Sequence, residues 1–348
     1  MDATAAGEAR EAGVRTYPCR SCGARLSFAP GTRELRCEFC GATNAIAPDE
    51  GSVDELDFEA YLQQLEAGEP TLEEEHVRCD KCGAEQTLAV AVFASRCAFC
   101  AAAIVSTSYA HRRIRPKSIV PFQLDRSRAQ ESFRRWIRRR WLAPLDLKRY
   151  AQTDAALAGV YLPFWTYDCR TSTDYSGQRG RRHDKSTSWT PVSGHVDLFH
   201  DDVVVLASQS VPDTLRGSPW RFDTSGLVPY KPEFVSGFRA EAYRIGLKDG
   251  FAIARGTIDE RIRMAIRRDI GGDEQRIEAV RTRYGDITFK HVLMPVWISA
   301  YRYRDRAYRF IVNGQTGEVF GESPLSWWKV TLIAIVALLI LYVILRNQ

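Results

Sequence analysis

The chain has 348 residues, 45% hydrophobic and 26% charged, the composition of a globular protein with room for two or three domains. Its net charge of +5 conceals an asymmetry: residues 1–110 hold 9 Lys/Arg against 18 Asp/Glu, whereas His111–Tyr150 holds 13 Lys/Arg against 3 acids. No Gly-Lys dipeptide, G-x-S-x-G or H-E-x-x-H occurs, which excludes a P-loop ATPase, a nucleophile-elbow hydrolase and a zincin.

Residues 1–15 are polar, lack the apolar core of a secretory signal, and read as disordered. Residues 16–48 contain Cys19, Cys22, Cys37 and Cys40, two C-x2-C hooks at the spacing of a tetrahedral four-thiolate site. Leu26, Phe28 and Leu35 form the expected small core of the intervening hairpin, with Phe39 between the last two thiolates. The pattern recurs as Cys79, Cys82, Cys97 and Cys100 in residues 77–106, an internal repeat. Gly23, Gly41 and Gly83 follow three of the knuckles, where a positive φ is needed, and Ala101 follows the fourth. Two zinc ribbons with structural Zn2+ are the expectation; iron uses the same ligands. A disulfide framework or a redox pair fits less well, given the missing export signal and the ribbon spacing. Half of a zinc-deaminase signature at Pro18–Cys22 fails, because no His-x-Glu lies upstream and Cys37 with Cys40 closes the ligand set.

Residues 49–76 read as an acidic linker helix. Ser52 is the expected N-cap with Glu55 at the capping-box position, Leu56, Phe58, Tyr61, Leu62 and Leu65 supply an apolar stripe, and Gly68 and Pro70 end the helix. Asp49–Glu75 carries 11 acids and no Lys or Arg, a poor grip for DNA, and reads as a solvated face or as a contact with a basic surface. In the second ribbon, Leu88, Val90, Val92 and Phe93 predict packing against something else.

A basic linker over 107–120 leads to an amphipathic helix over Ser127–Trp141. Phe133, Trp136, Ile137 and Trp141 share one face; Arg134, Arg135, Arg138 and Arg139 lie on the others. A core-packed helix with a solvated arginine face, contact with anionic lipid, and nucleic-acid binding all remain open for it. Residues 121–325 then read as an α+β domain, a mainly antiparallel sheet with helices on one side. Val160–Arg170 and Val292–Arg302 share a P-x-W core, Pro163/Trp165 and Pro295/Trp297, and predict two equivalent strands of a pseudo-symmetric unit. A long helical stretch is expected over Phe238–Asp269, broken near Gly246, Gly250 or Gly256, and a hairpin over Ala307–Phe320 turning through Asn313–Gly317. Cys169 reads as a core thiol.

Trp327–Leu345 is apolar with one charge, Lys329, and at 1.5 Å per residue is about 28 Å long, enough to cross a bilayer core. It reads as a single-pass tail anchor over 326–346, against the alternative of a buried core helix. The thiolates then place the bulk of the chain on the cytoplasmic side of the inner membrane. No catalytic or cofactor-binding residue stands out. His195 and His200 are five apart, on opposite faces of a strand, and neither they with His183, Asp184, Asp201 and Asp202, nor Asp154, Asp168 and Asp174 near Trp165, form a recognisable centre.

The paired ribbons, GVYLPFWTYD (Gly159–Asp168), SGFRAEAY (Ser236–Tyr243), HVLMPVW (His291–Trp297), VNGQTGEVFGESP (Val312–Pro324) and the terminal apolar stretch together resemble a bacterial tail-anchored double zinc-ribbon family. Its members are labelled TFIIB-type zinc-ribbon proteins or primosomal protein N′ (replication factor Y) helicase-like proteins. The resemblance implies the eight cysteine ligands, no catalytic residue, and a non-enzymatic adaptor that works beside phage-shock-type membrane-stress proteins or flotillin-like scaffolds. Its two ribbons are expected to project from the α+β domain. The alternative is a replication-linked, nucleic-acid-binding protein gripping through the 127–141 helix.

Overall fold

The computed structural model describes residues 17–48, 51, 53–66, 72–79, 85–86, 94–97, 99, 103–105, 108–114, 116–144, 146–147, 157–184, 186–216, 221–303 and 306–346. The N-terminal 1–15, Ser52, Gly68, Pro70, Leu88–Phe93, Ala101 and Asp154 lie outside them.

The chain folds as β1 (Leu26–Phe28), β2 (Glu34–Cys37), β3 (Thr43–Ala45), β4 (Leu56–Asp57), α1 (Phe58–Glu66), β5 (Leu72–Arg78), β6 (Glu85–Gln86), β7 (Ala94–Arg96), β8 (Ala103–Val105), β9 (Ser108–Arg113), β10 (Ser118–Ile119) and α2 (Arg126–Arg139). It continues through β11 (Ala158–His183), β12 (Ser186–Leu206), β13 (Val228–Pro229), β14 (Arg239–Ala240), α3 (Leu247–Ile270), β15 (Glu274–Tyr303), β16 (Arg306–Asn313), β17 (Val319–Gly321) and α4 (Trp327–Arg346). One-turn helices stand at Asp213–Arg216 and Pro232–Val235. The architecture is α+β, its nine-stranded main sheet mostly antiparallel and centred on β12-β11-β15.

The two P-x-W strands are neighbours, paired antiparallel about Leu162↔Met294. What surrounds one surrounds the other. β10 runs parallel to β15 beside Val292 and Leu293, as β14 runs parallel to β11 beside Val160 and Tyr161. Val120 N donates to Leu293 O as Glu241 N donates to Tyr161 O, both at 2.9 Å. Gly314 N donates to Pro295 O as Ala207 N donates to Pro163 O. The indole of Trp297 donates to Leu124 O, just before α2, and that of Trp165 to Ile245 O, just before α3, both at 2.9 Å. The domain core is therefore two β-α-β-β units related by a pseudo-two-fold axis through Leu162 and Met294. Each buried indole uses its one N–H to fix where a helix leaves the sheet.

Side chains alternate across the sheet. Val160, Leu162, Phe164, Val292, Met294 and Val296 form one buried cluster, while Tyr161 and Trp297, and Trp165 and Tyr167, join two others. α3 covers the long ribbon of β11, β12 and β15 with Ala254, Ile258, Ile262, Ile266 and Ile270, one residue per turn. It begins later than the expected Phe238, with Gly246 as N-cap, and the glycines inside it do not break it. Gly250 lets it approach the sheet, since a Cβ there would stand 2.4 Å from the Tyr167 hydroxyl and 2.8 Å from the Trp165 ring. Gly271, at φ 64°, closes the helix.

Three expectations need correction. Residues 49–76 are not one linker helix: α1 starts at Phe58 with Asp57 Oδ1 accepting from Ala60 N at 2.7 Å, while Leu56–Asp57 add to the sheet against Thr288–Phe289. Leu72–His76 and Ser108–Arg113, expected in linkers, instead belong to two strands that pair antiparallel and frame the second cysteine set. Nor does the first ribbon project. Phe28 N donates to Ser236 O at 2.9 Å, Ser236 Oγ to Leu26 O at 2.7 Å, and Gly31 N to Phe122 O at 2.8 Å. Its small core of Leu26, Phe28 and Leu35 is continuous with Phe234 and Trp297 of the main domain.

α2 buries Phe133 and Ile137 and half-buries Trp136, whereas Trp141 falls beyond the helix and is 67% exposed. α4 is long and apolar enough to cross a membrane, with a mean hydropathy of 2.6 and none of it buried against the rest of the chain.

Candidate metal centre

The first ribbon builds two matching knuckles. Cys19 N donates to Ala24 O and Gly23 N to Cys19 O; Cys37 N donates to Ala42 O and Gly41 N to Cys37 O. Gly23 and Gly41 both turn at positive φ, 73° and 74°, with open space around the missing Cβ. Their need is backbone conformation, not room. Strands β1 and β2 pair Leu26 with Cys37 and bring the knuckles face to face.

The four sulfurs of Cys19, Cys22, Cys37 and Cys40 lie within 4.8 Å of one another. Cys19 Sγ is 3.5 Å from Cys40 Sγ, and Cys22 Sγ is 3.6 Å from Cys37 Sγ. A tetrahedron of thiolates about 2.3 Å from zinc has sulfur edges of about 3.8 Å, so the set fits a four-coordinate soft metal. Thiolate formation is already favoured at half the set. The backbone N–H groups of Ser21 and Cys22 hold Cys19 down to about 6, and that of Cys40, opposed by burial and helped by Phe39, lowers Cys37. With four protein ligands no position is left for water, which is the arrangement of a structural site.

Of the second set, Cys79 and Cys97 are 1% and 3% exposed and belong to the cluster around Leu162 and Met294; Cys82 and Cys100 lie outside the described residues. Phe99 N donates to Cys97 Sγ at 3.4 Å, the contact that Phe39 makes with Cys37 in the first set. The two phenylalanines differ in setting: Phe39 is 84% exposed and Phe99 is 3% exposed.

The other candidate groups do not converge. His195 is on the open face of the ribbon, bonded to Asp174 at 2.7 Å and Asp197 at 3.0 Å, whose carboxylates raise its pKa. His200 faces α3, bonded to Thr171 Oγ1, and burial lowers its pKa. Opposite strand faces separate them, as the spacing predicts. Cys169 is a buried thiol under α3, pushed by burial up to about 11.

Asp168 sits where β11 and β12 both depart from regular register, with Asp202 opposite at φ 45°. Its Oδ1 accepts from Asp202 N at 2.6 Å. Asp168, Asp201 and Asp202 approach closely enough to hold an ion, but Lys290 already fills this centre. Its Nζ is 3.0 Å from Glu55, 3.1 Å from Asp202 and 3.8 Å from Asp168. Neither Glu55 nor Lys290 stood out as a site residue in the sequence. The only trace was the run of acids over Asp49–Glu75 with no local cation.

Glu241, inside the SGFRAEAY motif, is the second group that sequence reasoning missed. It is 2% exposed and accepts from Ser210 Oγ, and burial pushes it up to about 7. Its unfolded pKa is about 4.3, so the folded state holds the proton more tightly and stability falls as pH rises from about 4 to 7. Glu241→Gln, isosteric with the protonated acid, is expected to flatten that slope and to gain on the order of 3 kcal/mol over the wild type at pH 8, with little difference at pH 4. Denaturant unfolding of the detergent-solubilised chain at both pH values measures it.

Comparison with known proteins finds similarity to the uncharacterized protein YdjG of Bacillus subtilis (strain 168), 26% identical over 226 residues, covering 62% of this chain. The chain spans 65% of that relative's length. No family profile matches the chain. No solved structure matches it.

Proposed function

We propose that this protein is a non-enzymatic adaptor, held by α4 at the cytoplasmic face of the cell membrane, with structural zinc in two ribbons. Its family would be the double zinc-ribbon proteins that its motifs resemble. The observation that carries this reading is the closed four-thiolate cluster of Cys19, Cys22, Cys37 and Cys40, built into a ribbon whose core is continuous with that of the domain. Such a metal holds a surface in shape and leaves no position for chemistry. On that surface Phe39, at the knuckle tip, is the large apolar side chain most open to solvent among the described residues, and suits capture of a membrane-scaffold or stress protein. Lys290 occupies the acidic cluster near Trp165, and the histidines point apart, which supports a role without catalysis.

Co-purification of the full chain from native membranes in mild detergent tests the reading, with partners identified by mass spectrometry and metal measured in the same sample. About two zinc per chain and a recurrent membrane partner lost on Phe39→Ala are expected. Partner capture unchanged with both cysteine sets emptied, or nucleic acid in place of a protein partner, would refute it.

A further inference from the structure

α2 carries Arg134, Arg135, Arg138 and Arg139 exposed, with Arg140 at its C-cap; Glu131 is the helix's one acid. No acidic side chain among the described residues pairs with these arginines. The end of this helix is tied to the start of α4. Lys329 Nζ donates to Trp141 O and Ala143 O, both at 2.8 Å, and Ser326 N donates to Leu142 O at 2.9 Å. Lys329 is in the first turn of α4, so the Trp141 and Ala143 carbonyls sit at the level where the apolar helix begins.

That level fixes what α2 faces once α4 is in a bilayer. The headgroup layer is roughly 5–7 Å deep on each side of the hydrocarbon core. Arg138, Arg139 and Arg140 are within three residues of Trp141, about 5 Å of helix rise, so their guanidiniums reach that layer at any tilt of α2. Trp141, Trp327 and Trp328 are 67%, 80% and 60% exposed at the same level, where an indole's apolar ring and single N–H are both accommodated.

We propose that the C-terminal part of α2, with Trp141, is a binding face for anionic phospholipid headgroups that fixes the orientation of the domain on the membrane. It rests on α4 crossing the bilayer. Guanidiniums match phosphate oxygens through paired N–H donors, and an exposed arginine without an acidic partner gives up no existing ion pair in doing so.

The test reconstitutes the full chain into vesicles of phosphatidylcholine alone or with about one part in four phosphatidylglycerol, and counts the lipids retained on re-extraction by native mass spectrometry. Retention of phosphatidylglycerol over phosphatidylcholine by about tenfold or more is expected, weakening as salt rises. The Arg138→Gln/Arg139→Gln/Arg140→Gln variant should lose that preference while its insertion still resists alkaline extraction; the matching lysine variant should keep most of it. An inserted chain with no headgroup preference, or a glutamine variant as selective as the wild type, would overturn the proposal alone. Alkaline release of the wild type from both vesicles would overturn it together with the membrane reading. Preferential retention of an oligonucleotide over phosphatidylglycerol would also overturn it, and would assign the arginines to nucleic acid.

Discussion

Replacing Cys37 by Ser is expected to release one metal equivalent per chain and to unfold residues 17–48 as a unit. Cys37 is 1% exposed and ends β2, and its knuckle is held by two backbone hydrogen bonds. Binding of a structural zinc supplies roughly 10 kcal/mol or more, as much as the whole stability of an ordinary domain, so the ribbon does not persist without it. The damage should spread, because Leu26 and Phe28 cover Phe234, at 5.3 Å from Phe28 between ring centroids, and Phe238, at 6.4 Å. Hydrogen exchange should therefore rise at 17–48 and, less strongly, at 230–240, while metal analysis records the loss. Cys169→Ser, with its sulfur under α3, should leave metal content unchanged. Full metal content in the Cys37 variant would remove Cys37 from the ligand set. Cys97→Ser should be the more damaging change, since Cys97 and Phe99 belong to the cluster at the pseudo-two-fold axis.

Much of this arrangement was legible in the residues. Cysteine spacing placed the first centre because a knuckle is a local structure: two sulfurs, a glycine at positive φ and a short hairpin specify it without help from the rest of the chain. The P-x-W repeat foretold two equivalent strands for a related reason, as Trp165 and Trp297 each need one carbonyl acceptor and find it at equivalent points; that the two strands pair with each other was not foretold. The failures share a cause. Glu55 sits where a capping box would place it, yet its carboxylate serves Lys290, 235 residues away in sequence, and Asp57 caps the helix instead. Leu72–His76 reads as the end of an acidic linker but becomes a strand once Ser108–Arg113 is beside it. Trp141 continues the helical period on paper, but α2 ends before it and the following carbonyls go to Lys329. Local pattern cannot show a partner supplied from far along the chain.

Lys290 is where such distant pairing matters most for stability. The side chain is 9% exposed, and three carboxylates from β11, from β12 and from the residue before β4 converge on it. They cannot all be charged against one ammonium. Asp168 is pushed up to about 7 by burial and by Glu55, while Glu55, despite its own burial, is held down to about 2 by hydrogen bonds involving Asp168, Thr288 and Lys290. Lys290→Met keeps the length of the stem and removes the charge. Breaking a buried pair costs about 3–5 kcal/mol; with Glu55 40% and Asp202 21% exposed, so that water can reach them, about 3 kcal/mol is expected near neutral pH. For a domain of this size that is a fall in Tm of roughly 6–12 °C. The pH dependence separates charge from packing. Glu55's depressed pKa contributes stability above about 4.3, so its loss is felt alike at pH 5.5 and 8. Asp168, its pKa raised further without the ammonium, favours the folded state when protonated and opposes it when ionised, so the variant should be hurt more at pH 8 than at pH 5.5. Adding Asp168→Asn to Lys290→Met should then recover part of the loss at pH 8 and little at pH 5.5. Equal destabilisation at the two pH values, with no recovery, would mean that Lys290 acts through the packing of its stem and that the three carboxylates do not depend on its charge.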